Sequence, residues 1–220
     1  MAITLGNISY LLQFITAVVA VIYYKKYKDT PLRYLVYYLW YAVFMELVAG
    51  LMWNEFAIYN VWWYNIGINI EILFYLFIFY QYMSNRIVKK MILYGGIVYE
   101  LYFLINYLLF FESWNTYQVF PFTMGSVLLI LVIFLFLLEM FQSDKILFVN
   151  KYLIFWISLG LLFYYVIPMP LQIGETFFKL KNYSRDTRFF MHSIQYLGNL
   201  LMYFSFIYGF IWSSMTYKSL

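Results

Sequence analysis

Glu46, Glu71 and Glu100 are the residues of this 220-residue chain whose chemistry most needs a physical account. Each lies in an apolar run long enough to cross a lipid bilayer; "YNIGINIEILFYLFIFY", 64–80, is one such run. No lysine or arginine lies at comparable depth in any of these runs, so the sequence offers the acids no cationic partner. An acid at the centre of a bilayer costs several kcal/mol, and intramembrane ionisable groups usually face a bundle interior or a cavity. Two states are open to such a group. It is either a protonated acid donating to Tyr, Asn or backbone, or a carboxylate awaiting a cation. The first joins helices; the second is a ligand- or proton-linked site.

A second set of polar residues has a pattern in depth. Asn65 and Asn69 fall in one half of the third apolar run and Asn106 in the corresponding half of the fourth, with Thr123 and Ser126 at a similar level in the fifth. In the last run His192, Gln195 and Asn199 follow at i, i+3 and i+7, which is one face of a helix. Together with the three glutamates they predict a polar cavity opening towards the extracytoplasmic side, with room for a small molecule or lipid. The structural alternative is that these groups only join helices, at about 0.6 and up to ~2 kcal/mol per pair.

Other chemistries are excluded by what is missing. The chain has no cysteine and a single histidine, so thiolate sites, bis-histidine haem and histidine-rich hydrolase centres are ruled out. The last apolar run lacks a Schiff-base lysine for retinal. Ser126 and His192 are the only conceivable serine–base pair, and "TMGSVL" lacks the glycine usual after a rhomboid-type serine. All three aspartates, Asp29, Asp144 and Asp186, fall between the apolar runs, so an intramembrane aspartyl protease is excluded. There is no P-loop. No catalytic, metal or cofactor-binding constellation is found, and a nucleic-acid partner is not expected.

The elements that must position these residues follow from composition. Hydrophobic residues make up 65% of the chain and charged residues 11%, with a mean hydropathy of +0.76. Soluble domains are nearer half apolar and a quarter charged, so the chain is a multi-pass integral membrane protein. A spanning helix needs about 20 mostly apolar residues. That ruler predicts an all-α, single-domain bundle over 1–220 with seven helices at about 8–24, 34–53, 61–83, 91–111, 119–141, 152–168 and 190–213. The start lacks the basic n-region of a cleaved signal peptide, so the first helix is expected to be retained. Lysines and arginines number ten in the first, third and fifth loops and the C-terminus, against four in the sixth loop. This bias places the N-terminus outside and the C-terminus in the cytoplasm.

The sixth loop breaks the pattern. Its "FFKLKNYSRDTRFF" suits an interfacial segment, or else a lid or docking surface for an acidic partner. Gly50, Gly67 and Gly96 each stand four residues from a glutamate and predict close helix approach on those faces. The third helix, polar on two sides, is expected at the centre of the bundle.

The motifs "WWYNIGINIEILFYLFIFYQYM", "NTYQVFPFTMGSVLL", "FWISLGLLFYY" and "LGNLLMYF" resemble an uncharacterised family of bacterial seven-helix integral membrane proteins of about this length. The resemblance implies seven helices with the N-terminus outside. It carries no activity and transfers no site residue. Some bacterial modules of this shape are similar to the membrane sensors of signalling kinases, an analogy of fold alone.

Three function classes follow. A receptor-like sensor or ligand-binding subunit would use the cavity and act through a membrane or cytoplasmic protein partner. A structural subunit of a membrane complex would need no cavity. A proton- or cation-coupled transporter would use the midplane acids as a relay, although no internal repeat is present.

Overall fold

The computed structural model describes residues 5–109, 116–171 and 185–214. In hydrocarbon, backbone polar groups must be satisfied within the protein, so long apolar runs coil into helices. Among the described residues there are seven α-helices and no strand: α1 Leu5–Ile22, α2 Arg33–Asn54, α3 Val61–Tyr82, α4 Arg86–Leu108, α5 Val119–Phe141, α6 Leu153–Val166 and α7 Arg185–Trp212. Six are long and apolar enough to cross a membrane, taking α6 on through Leu171 and α7 over Ser193–Trp212. The apolar part of α1, Gly6–Ile22, is shorter than that. The surface matches a lipid solvent: Leu47, Leu101 and Phe134 are each more than half exposed, while Ser126 and Ser158 are fully buried.

Two boundaries differ from the hydropathy reading for the same reason. The fourth helix starts at Arg86 rather than near 91, because Asn85 Oδ1 accepts from the Ile87 and Val88 amides at 2.9 and 3.3 Å. Glu139 on α5 strengthens this cap, accepting from the Ser84 and Asn85 amides at 2.8 and 3.2 Å. The last helix likewise begins at Arg185, so Arg185 and Arg188 belong to it and not to a loop. Charged first turns lower hydropathy without breaking a helix. Most of the expected sixth loop, 172–184, and the expected end of the fourth helix at 110–111 lie outside the described residues.

Helix packing gives the bundle its form. The helix α1 packs on α2 and α7, α2 on α3, α3 on α5, α5 on α6, and α6 on α7. Six helices therefore close a ring in the order α1–α2–α3–α5–α6–α7, and α4 sits outside it against α3 and α5. The α3 helix touches three neighbours but leaves Ile70 and Phe77 exposed, so it is embedded on three sides and not central.

The tightest seam is α6–α7. A Cβ at Gly160 would lie 2.8 Å from the Phe206 ring and 3.0 Å from the Met202 carbonyl, and Ser205 donates to the Trp156 carbonyl at 2.7 Å. Small residues here allow the backbones to approach. Of the three glycines beside glutamates, only Gly67 has a close neighbour, the flexible end of Met45, whose Cε lies 2.8 Å from a built Cβ. Gly96 has ordinary contact with Leu76, and Gly50 faces open space.

Ring closure is reinforced at one end. Lys26 Nζ donates to the carbonyls of Phe210, Ile211 and Ser213 at 3.1, 2.8 and 3.1 Å. These lie at the end of α7, where carbonyls lack helical partners and a cation is favoured. Partial desolvation at this turn lowers the Lys26 pKa from its ordinary value. The Tyr27 hydroxyl donates to the Ala20 carbonyl and holds the turn in place.

Candidate functional site

A cavity of about 150 Å³ lies inside the ring, walled by α1, α2, α3, α6 and α7. Glu46 and Glu71 both line it. They stand on the two arms of the α2–α3 hairpin, each within about 4 Å of its helix midpoint at 1.5 Å rise per residue. The Tyr64 hydroxyl donates to Glu46 Oε2 at 2.9 Å, and the Tyr165 hydroxyl donates to Glu71 Oε1 at 2.9 Å. Both acids are half-buried, so part of each carboxyl stays open to the cavity.

Aromatic side chains make up a large part of the remaining wall. Tyr38, Tyr41, Tyr75, Tyr164 and Tyr203 line the cavity together with Met45 and Met202. Tyr38 is stacked on Phe74 with centroids 4.4 Å apart and meets Tyr75 edge-on at 5.2 Å, which stiffens this side. No lysine, arginine or histidine lines the cavity among the described residues. On α3 the lining runs from Tyr64 to Tyr75, about 16 Å in depth, and reaches towards the end where α2 connects to α3.

Of the other residues expected in one outward cavity, Asn199 lines it, whereas Glu100, Asn65, Asn69, Asn106 and Gln195 do not. Glu100 is on α4, outside the ring. It accepts from Asn69 Nδ2 at 3.1 Å and lines a separate apolar groove of about 480 Å³ between α3 and α4, beside exposed Leu93 and Ile97. Helix α4 is excluded from the ring, and no pattern within its own sequence encodes that.

Asn65 is a joint between segments. Its Nδ2 donates to the Thr116 carbonyl at 3.0 Å and its Oδ1 accepts from the Gln118 amide at 3.2 Å, pinning the approach to α5 against α3. Asn69, Tyr99 and Gln118 surround a void of about 10 Å³ beside it. Asn69 Oδ1, the Tyr99 hydroxyl and both amide atoms of Gln118 have no partner among the described residues. The void has room for about one water.

Asn106 is buried on α4 and does not line the cavity. Gln195 is half-buried on α7 and also outside the lining. The side chain of His192 lies outside the described residues. Of the i, i+3, i+7 stripe on the last helix, Asn199 reaches the cavity and Gln195 does not.

Sequence reasoning missed the contribution of α1. Gln13 lines the cavity, and Ser9, Gln13 and Thr16 are all buried. Their spacing, i, i+4 and i+7, is one helical face and was the available signal. The cavity tyrosines carried no comparable signal, because a chain with 26 tyrosines does not distinguish those facing inward.

Comparisons with known protein families, curated proteins and solved structures found no match to this chain.

Proposed function

We propose that this multi-pass membrane protein is a receptor-like sensor or ligand-binding subunit that holds a small molecule within its helix ring. The observation that carries this reading is the cavity of about 150 Å³, with Glu46 and Glu71 in one wall and Asn199 in another. A subunit built only to pad a complex has no need of two acids beside an internal cavity, where each costs several kcal/mol. In this reading α1 is the seventh span, supported by its position between α2 and α7 in the ring. The bias of basic residues supports an outside N-terminus, which puts the α2–α3 end of the cavity on the extracytoplasmic side. Ligand occupancy would shift α6 and α7 relative to α2 and α3, and a partner chain in the membrane or cytoplasm would sense that shift.

The chain has no cysteine, so single-cysteine labelling tests this directly. Asn199→Cys, in the cavity, should react with a membrane-impermeant thiol reagent added from outside. Phe204→Cys should resist it, because Phe204 is exposed on the lipid-facing surface. Equal protection of both positions would refute an outward-open cavity and favour the structural subunit.

A further inference from the structure

We infer that the ring cavity binds a compact organic cation, an ammonium group carrying small alkyl substituents. The inference rests on the ligand-binding reading above and names the ligand class. Three properties of the wall converge on it.

The first is charge sign. Among the described residues Glu46 and Glu71 are the only ionisable side chains other than tyrosine lining the cavity, and both are acids. Each is positioned by a tyrosine hydroxyl on one oxygen, and Glu46 Oε1 takes no bond from any described residue. A cation entering the cavity would meet oriented oxygens without needing to displace an internal lysine or arginine.

The second is aromatic content. Among the described residues six tyrosines line the cavity. A cation over an aromatic face is attracted by the ring quadrupole, and quaternary ammonium groups are the common guests of aromatic cages. The methyl and methylene groups of such a guest suit Met45 and Met202, whose thioethers pack adaptably. An anionic guest would face two carboxylates and the negative faces of the rings.

The third is size. A cavity of about 150 Å³ holds a guest the size of benzene, on the order of six heavy atoms. This excludes peptides, nucleotides and whole lipids. A bare calcium ion is also a poor fit, since it takes six to eight oxygens at about 2.3–2.6 Å. Among the described residues no three acidic, histidine or cysteine side chains come together.

The test uses three probes of matched shape: choline, its neutral isostere 3,3-dimethylbutan-1-ol, and the anion 3,3-dimethylbutyrate. Binding to the full chain in nanodiscs is read by calorimetric titration. Choline should bind saturably, with the alcohol at least about tenfold weaker and the anion not binding. Glu71→Gln and Glu46→Gln should each weaken choline by about tenfold and leave the alcohol unchanged. Should Glu71→Gln fail to fold, Glu46→Gln together with choline protection of Asn199→Cys from thiol reagent makes the same discrimination.

Alcohol binding as tight as choline would overturn the cation class and leave the ligand-binding reading standing. A wild-type protein that ignores choline also overturns the class. If, in addition, Ala42→Phe fills the cavity with no change in cellular phenotype, the ligand-binding reading falls with it.

Discussion

The Tyr165 hydroxyl on α6 donates to the Glu71 carboxyl on α3 at 2.9 Å, joining two helices that are not neighbours in the ring. Tyr165 is fully buried, so this bond crosses the protein interior beside the cavity. Glu71→Gln keeps an acceptor for Tyr165 and should cost about 1 kcal/mol or less, the net worth of a typical hydrogen bond. Glu71→Leu strands the hydroxyl and should cost about 1–3 kcal/mol. Thermal melting of the three proteins in one detergent provides the comparison. Indistinguishable melting would show that the bond contributes nothing to the ring.

Gly50 and Gly160 should respond to alanine with opposite signs. Gly50 faces open space in α2, so Gly50→Ala should stabilise by up to about 1 kcal/mol through helix propensity. At Gly160 the new methyl would press on the Phe206 ring and the Met202 carbonyl. Overpacking of this kind costs about 1–3 kcal/mol. A destabilised Gly50→Ala would mean that this face is packed against something outside the described chain.

Glu139 should matter more than its position near a helix end suggests. It accepts two backbone amides at the α3–α4 connection. Glu139→Ala should lower stability by about 1–2 kcal/mol, the range for losing a helix cap. Glu55→Ala, at an exposed position, should stay near wild type. Hydrogen exchange should show the loss as faster exchange at Ser84 and Asn85.

Lys26 caps α7 from a distant part of the chain. Lys26→Met should cost about 0.5–1 kcal/mol and loosen the end of α7, seen as earlier proteolysis after Trp212. Lys26→Arg, which keeps the charge, should recover part of the loss. Equal proteolysis in all three proteins would show that the cap is dispensable.

Topology is checked by truncating the chain at a reporter. Fusions after Tyr27 and after Asn85 should report a cytoplasmic location, and a fusion after Glu55 an external one. The reverse pattern would invert the bundle and turn the α2–α3 end of the cavity towards the cytoplasm.

Much of this molecule is decided locally. Hydropathy over 20 residues determines membrane class and the placement of helices, because burial in lipid depends on each segment's own side chains and its own backbone bonds. The depth of Glu46, Glu71 and Glu100 along their helices follows from the same count. Charged first turns at Arg86 and Arg185 obscure two boundaries; at Arg86, capping bonds from Asn85 and Glu139 compensate for polarity that hydropathy penalises. What only the tertiary structure decides is which acids share a space. Glu46 and Glu100 have the same glycine spacing and similar apolar surroundings in sequence, yet one lines the cavity and the other a lipid-side groove. The difference arises because α3 packs on α5 and leaves α4 outside the ring. That choice depends on contacts such as Gly125 of α5 against Ile72 of α3, between residues far apart in the chain. Helical periodicity states which face is polar. It cannot state what stands opposite that face, and here the opposite partner is what separates a cavity wall from a lipid-side groove.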